Sequence, residues 1–469
     1  MKMFGDGRKH KRRTSVVFII GGGFAGVEAA WRVAQSGLRA ILYEMRPKRM
    51  TAVHQSSYLA ELVCSNSFKS NLLTNASGVM KEEMRRLDSL ILDVASRHSV
   101  PAGEALAVDR DSFAMEVTSI LTRHPRITII RDEVTSLPTH RPLIIATGPL
   151  TTDDLTGEIC RLVDESSLSF YDAVAPTITF DSIDLNKVYR ASRRGKTSEN
   201  DPLRLEKVSD GDYLNCPLTK EEYLRFHAEL VQAEQSAPHN PEERDASYFE
   251  MCLPIEELAR RGERTLAYGP MKPIGLADPR TGKRPWAVVQ LRQENKEGTL
   301  WGLVGFQTRL KWGEQRRIFR MIPGLEQAEF VRYGVMHRNT YVNAPLALNL
   351  FMQVIHHEGV YMAGQLTGVE GYLESAAIGI VAGMNAVRYA LGLEPTTPPC
   401  ETVIGSLCHY LVEANPKHFS PMNSNFGIMP ELPSPVRDKK EKARLKGVRA
   451  LAALDEYRKS LYDFEPGAI

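Results

Sequence analysis

The stretch Ser15–Ile20, SVVFII, is a short β-rich apolar run, as expected of a strand buried on both faces. Gly21–Gly26 follow, and VEAAWRVAQS then reads as a helix, stopped by Gly37 where a helix C-cap favours glycine. Arg39–Tyr43 reads as a second strand, which completes a βαβ unit. Residues 79–100 alternate charged and apolar positions at helical spacing until Pro101. Arg126–Ile130 and Leu143–Ala146 are further short apolar runs, the latter leading into Thr147-Gly148-Pro149.

From about 170 to 330 the texture changes, with TITF, AVVQL and LWGLVGF as β-rich segments between charged, Pro- and Gly-containing loops. Ser192–Asp212 is charged and poor in apolar residues, so it reads as an exposed loop. Near 360 the first texture returns: VYMAGQL, a glycine-rich turn, then ESAAIGIVAGMNAVRYAL as a long helix. There is no internal repeat. The expected fold class is α/β, a Rossmann-like dinucleotide-binding domain interrupted by a mixed α/β insertion domain. The expected division is a basic arm at 1–14, the binding domain at 15–169 and 331–469 with a C-terminal helix, and the insertion at 170–330.

Composition narrows the function classes. The 469 residues are 43% apolar and 25% charged, which excludes wholesale disorder, a collagen-like fibre and a membrane bundle. Lys plus Arg number 59 against 57 acidic residues, so nucleic acid would have to be bound through a local patch. The six cysteines lie far apart with no CxxC pair, which argues for a reducing compartment and against a zinc knuckle or a thioredoxin-type pair; no metal site is read. The basic MKMFGDGRKHKRR before SVVFII is not read as a signal peptide, because three glycines stop the apolar run. A cytoplasmic protein without a membrane span is expected.

Gly21-Gly22-Gly23-Phe24-Ala25-Gly26 matches G-x-G-x-x-G. In this pattern the first glycine allows the tight turn, the second lets backbone approach a pyrophosphate, and the third permits close helix packing. The diphosphate then sits on the unpaired N–H groups and positive dipole end of the helix. Glycine loops are common, but this one follows a strand and opens a helix, and Glu44 ends the next strand where a ribose-binding acid is expected. FAD and NAD share the fingerprint. The late strand–turn–helix at Val360–Gln365 and the Ala146-Thr147-Gly148 strand end favour FAD, the longer cofactor.

Cys64 lies in ELVCSNS and Cys252 in FEMCLPIE. Most free cysteines are buried and inert, yet Cys64 is flanked by Ser65, Asn66 and Ser67, and Cys252 stands at a Pro-broken turn between acidic residues. Basic residues cluster at Arg190, Arg193, Arg194 and Lys196, at Arg309–Arg320, and at Lys439–Arg449. A solvated face is the default for any one cluster, whereas three in a nearly neutral chain suit a polyanion.

At GGGFAG, LYEMRP, AELVCSNSF and AGQLTGVEGYLES the chain resembles the folate- and FAD-dependent tRNA (uracil-5-)-methyltransferases. The likeness continues through NCPLTKEEY, MCLPIE, YGPMKPIGLADPRTGKRPWAVVQLR, GFQTRLKWGEQRRIFRMIPGL and YGVMHRNTY, almost the whole chain from Val16 onward. It implies C5 methylation of the T-loop uridine of tRNA, with methylenetetrahydrofolate as one-carbon donor and FAD reduced by NAD(P)H. It also implies that Gly21, Gly22, Gly23, Phe24, Ala25, Gly26 and Glu44 hold the FAD diphosphate and ribose. Gly364, Gln365, Gly368, Gly371 and Tyr372 would lie near the flavin ring. Cys252 matches the nucleophile toward uracil C6, and Cys64 a second functional cysteine, for proton removal or protection of the flavin. His337 is a candidate pterin neighbour, and Arg190, Arg193, Arg194 and Lys196 candidate substrate contacts in an RNA-facing insertion. No obligate protein partner is implied.

The chain departs from the family in the arm before Thr14, in the charged stretch Thr197–Asp210, and at Met251, where a small residue is expected. Two alternatives stay open: a related FAD- and folate-dependent enzyme of the wobble uridine, and a flavin-bearing RNA-binding protein without methyl transfer.

Overall fold

The fold is that of a computed structural model, which describes residues 14–51, 53–163, 168–173, 175–193, 211–236, 253–334 and 336–462. Strand β1 (Val16–Ile20) lies at the centre of a five-stranded parallel sheet. Strand β2 (Arg39–Tyr43) and then Ile127–Ile130 lie on one side of it, Leu143–Ile145 and then Val360–Met362 on the other. The late strand Val360–Met362 thus joins the edge of the sheet begun by β1. Val17 and Ile19 are fully buried, as the apolar run requires, while Phe18 is half-buried against the His140 ring at 4.5 Å.

Helix α1 (Phe24–Gln35) packs along the helix Tyr372–Leu391. The sequence reason is the pair Gly379 and Gly383, one turn apart on the long helix. A Cβ at Gly379 would stand 2.3 Å from the Ala25 carbonyl oxygen, and one at Gly383 would stand 2.9 Å from the Ala29 Cα. Only glycine allows that approach.

Residues 79–100 do not form one helix. Helix α2 (Ala76–Arg86) ends before Asp88, which has φ 58°, and Ser89 N-caps helix α3 (Leu90–Arg97) by accepting from the Leu92 N–H at 3.2 Å. Ser99–Val100 then leaves the helix as an edge strand beside Ala105–Val108, whose other neighbour is Ser67–Ser70.

The antiparallel strands Leu168–Ala173 and Met336–Tyr341 pair with each other between two separate apolar cores. One core draws on Val17–Ile159 and Tyr341–Tyr457. The other lies between Ile178 and Ala328, around Trp301, Tyr223, Phe226 and Phe306. It backs a six-stranded antiparallel sheet in the order Tyr189–Arg190, Tyr213–Leu218, Ala287–Gln293, Leu300–Leu303, Thr177–Thr179, Phe330–Arg332. Among the described residues no helix is long and apolar enough to cross a membrane.

Candidate active site

The glycine loop leaves β1 at Gly21, whose φ of 105° and whose contact with the Ala146 carbonyl (2.3 Å from an added Cβ) both require glycine. A Cβ on Gly26 would stand 1.8 Å from the Gly21 carbonyl oxygen, so this glycine lets α1 close onto the loop. Gly23 differs from both, because an added Cβ there meets no protein atom within 4 Å. It is the N-cap of α1, with no side-chain cap on the first turn and no acidic residue in it. A helix start without cap or acid offers its N–H groups and dipole to an anion.

Those residues open on a solvent-open cleft that runs from Glu44 past Thr147 and Gly148 to Cys64 and the Gly371-Tyr372 turn. Of the residues singled out in the sequence, Gly21, Gly22, Gly23, Phe24, Ala25, Glu44, Cys64, Gly364, Gln365, Gly371 and Tyr372 line it. Gly26 and Gly368 do not. Gly26 packs α1 onto the loop, and Gly368, with φ 88°, ends the turn Gly364–Thr367 where an added Cβ would strike the Phe419 ring at 2.5 Å.

Glu44 is buried and hydrogen-bonded on both oxygens. Its Oε2 accepts from the Gly22 N–H at 2.9 Å, and its Oε1 accepts from the Arg46 backbone N–H at 3.0 Å and Nε at 2.8 Å. Burial alone would raise the carboxyl; the Arg46 hydrogen bonds and charge, with the Gly22 N–H, outweigh it and hold the group below its usual value. Arg46 also reaches Glu61 Oε2 at 3.0 Å, and Glu61 gathers the Gln55 and Ser56 N–H groups. This clamp fixes the tip of β2 and the loop beyond it.

The Cys64 end is assembled from distant chain. The Cys64 N–H donates to the Tyr372 hydroxyl at 2.7 Å, and the Tyr372 ring stacks on Phe24 at 4.7 Å. Burial pushes the phenol up, so it stays a neutral hydroxyl. Three arginines hold the same loop: Arg110 Nη1 donates to the Leu62 carbonyl at 2.8 Å, Arg332 Nη1 to the Val63 carbonyl at 3.0 Å, and Arg292 Nη2 to Ser65 Oγ at 3.2 Å. Glu294 stands between them, 2.5 Å from Arg110 Nε and 3.7 Å from Arg292 Nη2. Burial would raise Glu294, yet the charges of Arg110, Arg292 and Arg332 overcome it and lower the carboxyl. Three guanidinium groups, which do not deprotonate in proteins, against one carboxylate leave this end cationic. It favours an anionic substrate group nearby.

The other expectations fare unevenly. Cys252, Arg194 and Lys196 lie outside the described residues, as does all of Thr197–Asp210. His337 sits in the strand Met336–Tyr341, its backbone in register with Asp172. Arg190 is exposed, with Cζ 5.3 Å from the Trp301 ring centre, whereas Arg193 donates to Gln290 Oε1 at 2.8 Å and serves packing. The cluster Arg309–Arg320 is largely neutralised: Lys311 pairs with Glu234 at 2.8 Å, and Arg317 with Glu314 at 2.8 Å and with Glu229. Among the described residues no group of His, Cys, Asp and Glu is placed to hold a metal. Sequence reasoning missed Arg110, Arg292, Arg332 and Glu294, because no single stretch contains them. Arg46 could have been found, since it follows Glu44 within LYEMRP.

A parallel sheet whose first strand runs into a glycine loop and helix, with an acid at the tip of the second, defines a dinucleotide-binding protein. The sequence profile of the family described as Glucose inhibited division protein A matches residues 16–394. The chain is 56% identical over 439 residues to the methylenetetrahydrofolate--tRNA-(uracil-5-)-methyltransferase TrmFO of Symbiobacterium thermophilum, covering 93% of this chain and 96% of that protein. To the protein of the same name from Dictyoglomus thermophilum it is 57% identical over 441 residues, covering 94% and 97%. The chain belongs to this TrmFO family. In fold it is similar to Aquifex aeolicus GidA, with a TM-score of 0.67 at 16% identity over 95% of this chain and 73% of that one.

Proposed function

We propose that the chain methylates C5 of the T-loop uridine in tRNA, with methylenetetrahydrofolate as one-carbon donor and with FAD, reduced by NAD(P)H, as its cofactor. The observation that carries this reading is Cys64 on the wall of the cavity that begins at the glycine loop, in a chain related to TrmFO proteins along nearly its whole length. The open face of Gly23 and the uncapped start of α1 fit a diphosphate. When bound, the flavin supplies the reducing electrons that complete the methyl group.

The remaining chemistry falls to the chain. Uracil C5 is too poor a nucleophile to attack a one-carbon unit unaided. The Cys252 thiolate adds to C6, which places carbanion character on C5 and splits one hard step into two. After C5 has taken the one-carbon unit its proton must leave, and Cys64 assists that removal. The bond from that carbon to the nitrogen that carried it would then break, a hydride equivalent would complete the methyl group, and expulsion of Cys252 as thiolate would restore the C5–C6 double bond. Gly21–Ala25 and Glu44 hold the diphosphate and ribose, and Gly364, Gln365, Gly371 and Tyr372 the flavin end. The segments 15–169 and 331–469 form the binding domain, and 170–330 is an insertion facing the RNA, with Arg190 among its substrate contacts and His337 near the pterin. The reaction takes place in the cytoplasm.

Trapping on tRNA that contains 5-fluorouracil tests this. Fluorine at C5 cannot leave as a proton, so wild-type protein should accumulate a denaturation-resistant adduct and Cys252→Ala none, while Cys64→Ala should still form it without turnover. An undiminished adduct in Cys252→Ala would remove that residue as the nucleophile.

A further inference from the structure

A row of aromatic rings leads from the interior of the insertion to its surface. Phe319 is buried, and Phe330 lies 6.5 Å from it. Phe330 stacks on Tyr333 at 5.4 Å and 15°, and Tyr333 on Trp312 at 5.3 Å and 12°. The last ring, Trp312, is 63% exposed. Single exposed aromatics need no explanation, but three near-parallel rings ending in an open indole form a flat surface of the kind on which a nucleobase stacks.

The row is held rigid. Buried Gln315 accepts from the Gly334 N–H at 2.7 Å and donates to the Gly334 and Leu310 carbonyls at 2.9 and 2.7 Å, which ties the Tyr333 segment to the helix Trp312–Phe319. Arg316 donates to the Tyr333 hydroxyl from Nη2 at 2.8 Å and from Nε at 3.2 Å. It is exposed, and among the described residues no carboxylate pairs with it, unlike Lys311 just before this helix and Arg317 within it. Among the described residues, then, a cation without a paired carboxylate stands beside the stack. The strand that supplies Phe330 also supplies Arg332, which contacts the Val63 carbonyl next to Cys64.

We propose that the Phe330–Tyr333–Trp312 stack, with Arg316 at its side, is a platform for one unpaired base of the tRNA, Arg316 meeting a neighbouring phosphate. This rests on the tRNA reading above and adds to it the place where an unstacked nucleotide is held. Nucleotides of a structured loop are recognised in this way when splayed onto aromatic side chains.

The test is equilibrium binding of an unmodified tRNA transcript to the full-length, flavin-loaded protein. Trp312→Ala should weaken binding roughly ten-fold and Trp312→Phe by no more than about three-fold, since a ring is kept. Arg316→Gln should lower the slope of log affinity against log salt by about 0.7–0.9, the share of one phosphate contact. Trp312 is the one strongly exposed tryptophan, so saturating tRNA should quench wild-type emission and leave that of Trp312→Phe unchanged. That readout and Arg316→Gln stand even if Trp312→Ala fails to fold. Wild-type affinity in Trp312→Ala, or equal quenching in Trp312→Phe, would overturn the platform alone. A wild-type protein that binds no tRNA would overturn the functional reading, and the platform with it.

Discussion

At the Gly21–Glu44 end of the cavity one βαβ unit supplies the glycine loop and the clamped carboxylate of Glu44. At the other end Cys64 is held by Tyr372, 308 residues away, and by arginines from three separate segments joined through Glu294. The first end is a local motif that any chain with that spacing can make. The second exists only when both apolar cores have formed and met. A cofactor-binding end built locally, beside a cysteine loop built from everywhere, means that binding and catalysis should fail separately when each is perturbed.

The largest effect is expected at Gly26. A Cβ 1.8 Å from the Gly21 carbonyl cannot be accommodated by a side-chain shift, so Gly26→Val should cost about 4 kcal/mol or more and yield little soluble protein. Normal yield and a wild-type melting temperature would mean that the loop is not closed in this way. Glu294→Gln comes next. It leaves three arginines around a neutral amide, and breaking a buried pair from one side costs about 3–5 kcal/mol. Denaturant unfolding should show that loss while the glycine loop itself is untouched; an unchanged midpoint would show the cluster to be incidental. Gly23→Leu should have the smallest effect on stability, about 0.5 kcal/mol or less in the apoprotein, because its side chain enters open space. It should nonetheless purify without flavin. Full flavin occupancy in that variant would break the contrast between the two ends, since the open face of Gly23 would then be no part of the diphosphate site.

What could be read from the sequence follows the same division. β1, α1, β2 and the long helix Tyr372–Leu391 were legible because period and glycine punctuation are local signals. The break between α2 and α3 was hidden by continuous helical spacing, although Asp88-Ser89 carries the cap that makes it. Ser99–Val100 is too short to show a pattern, and its strand character comes from its partner Ala105–Val108. Gly26 and Gly368 sit in motifs with their neighbours, yet a motif does not say which glycine faces ligand and which faces protein. The Arg309–Arg320 cluster read as basic because two of its carboxylate partners, Glu229 and Glu234, lie far back in the chain. The arginines around Glu294 were invisible for the same reason: tertiary contact, not spacing, makes them a site.

The methyl donor decides whether this protein works as proposed. Purified protein, unmodified tRNA and NAD(P)H should be incubated with methylenetetrahydrofolate labelled in its one-carbon unit, and separately with labelled S-adenosylmethionine. Label should appear in 5-methyluridine from the folate alone, from a protein whose absorbance spectrum shows bound flavin. Label from S-adenosylmethionine without folate would contradict it.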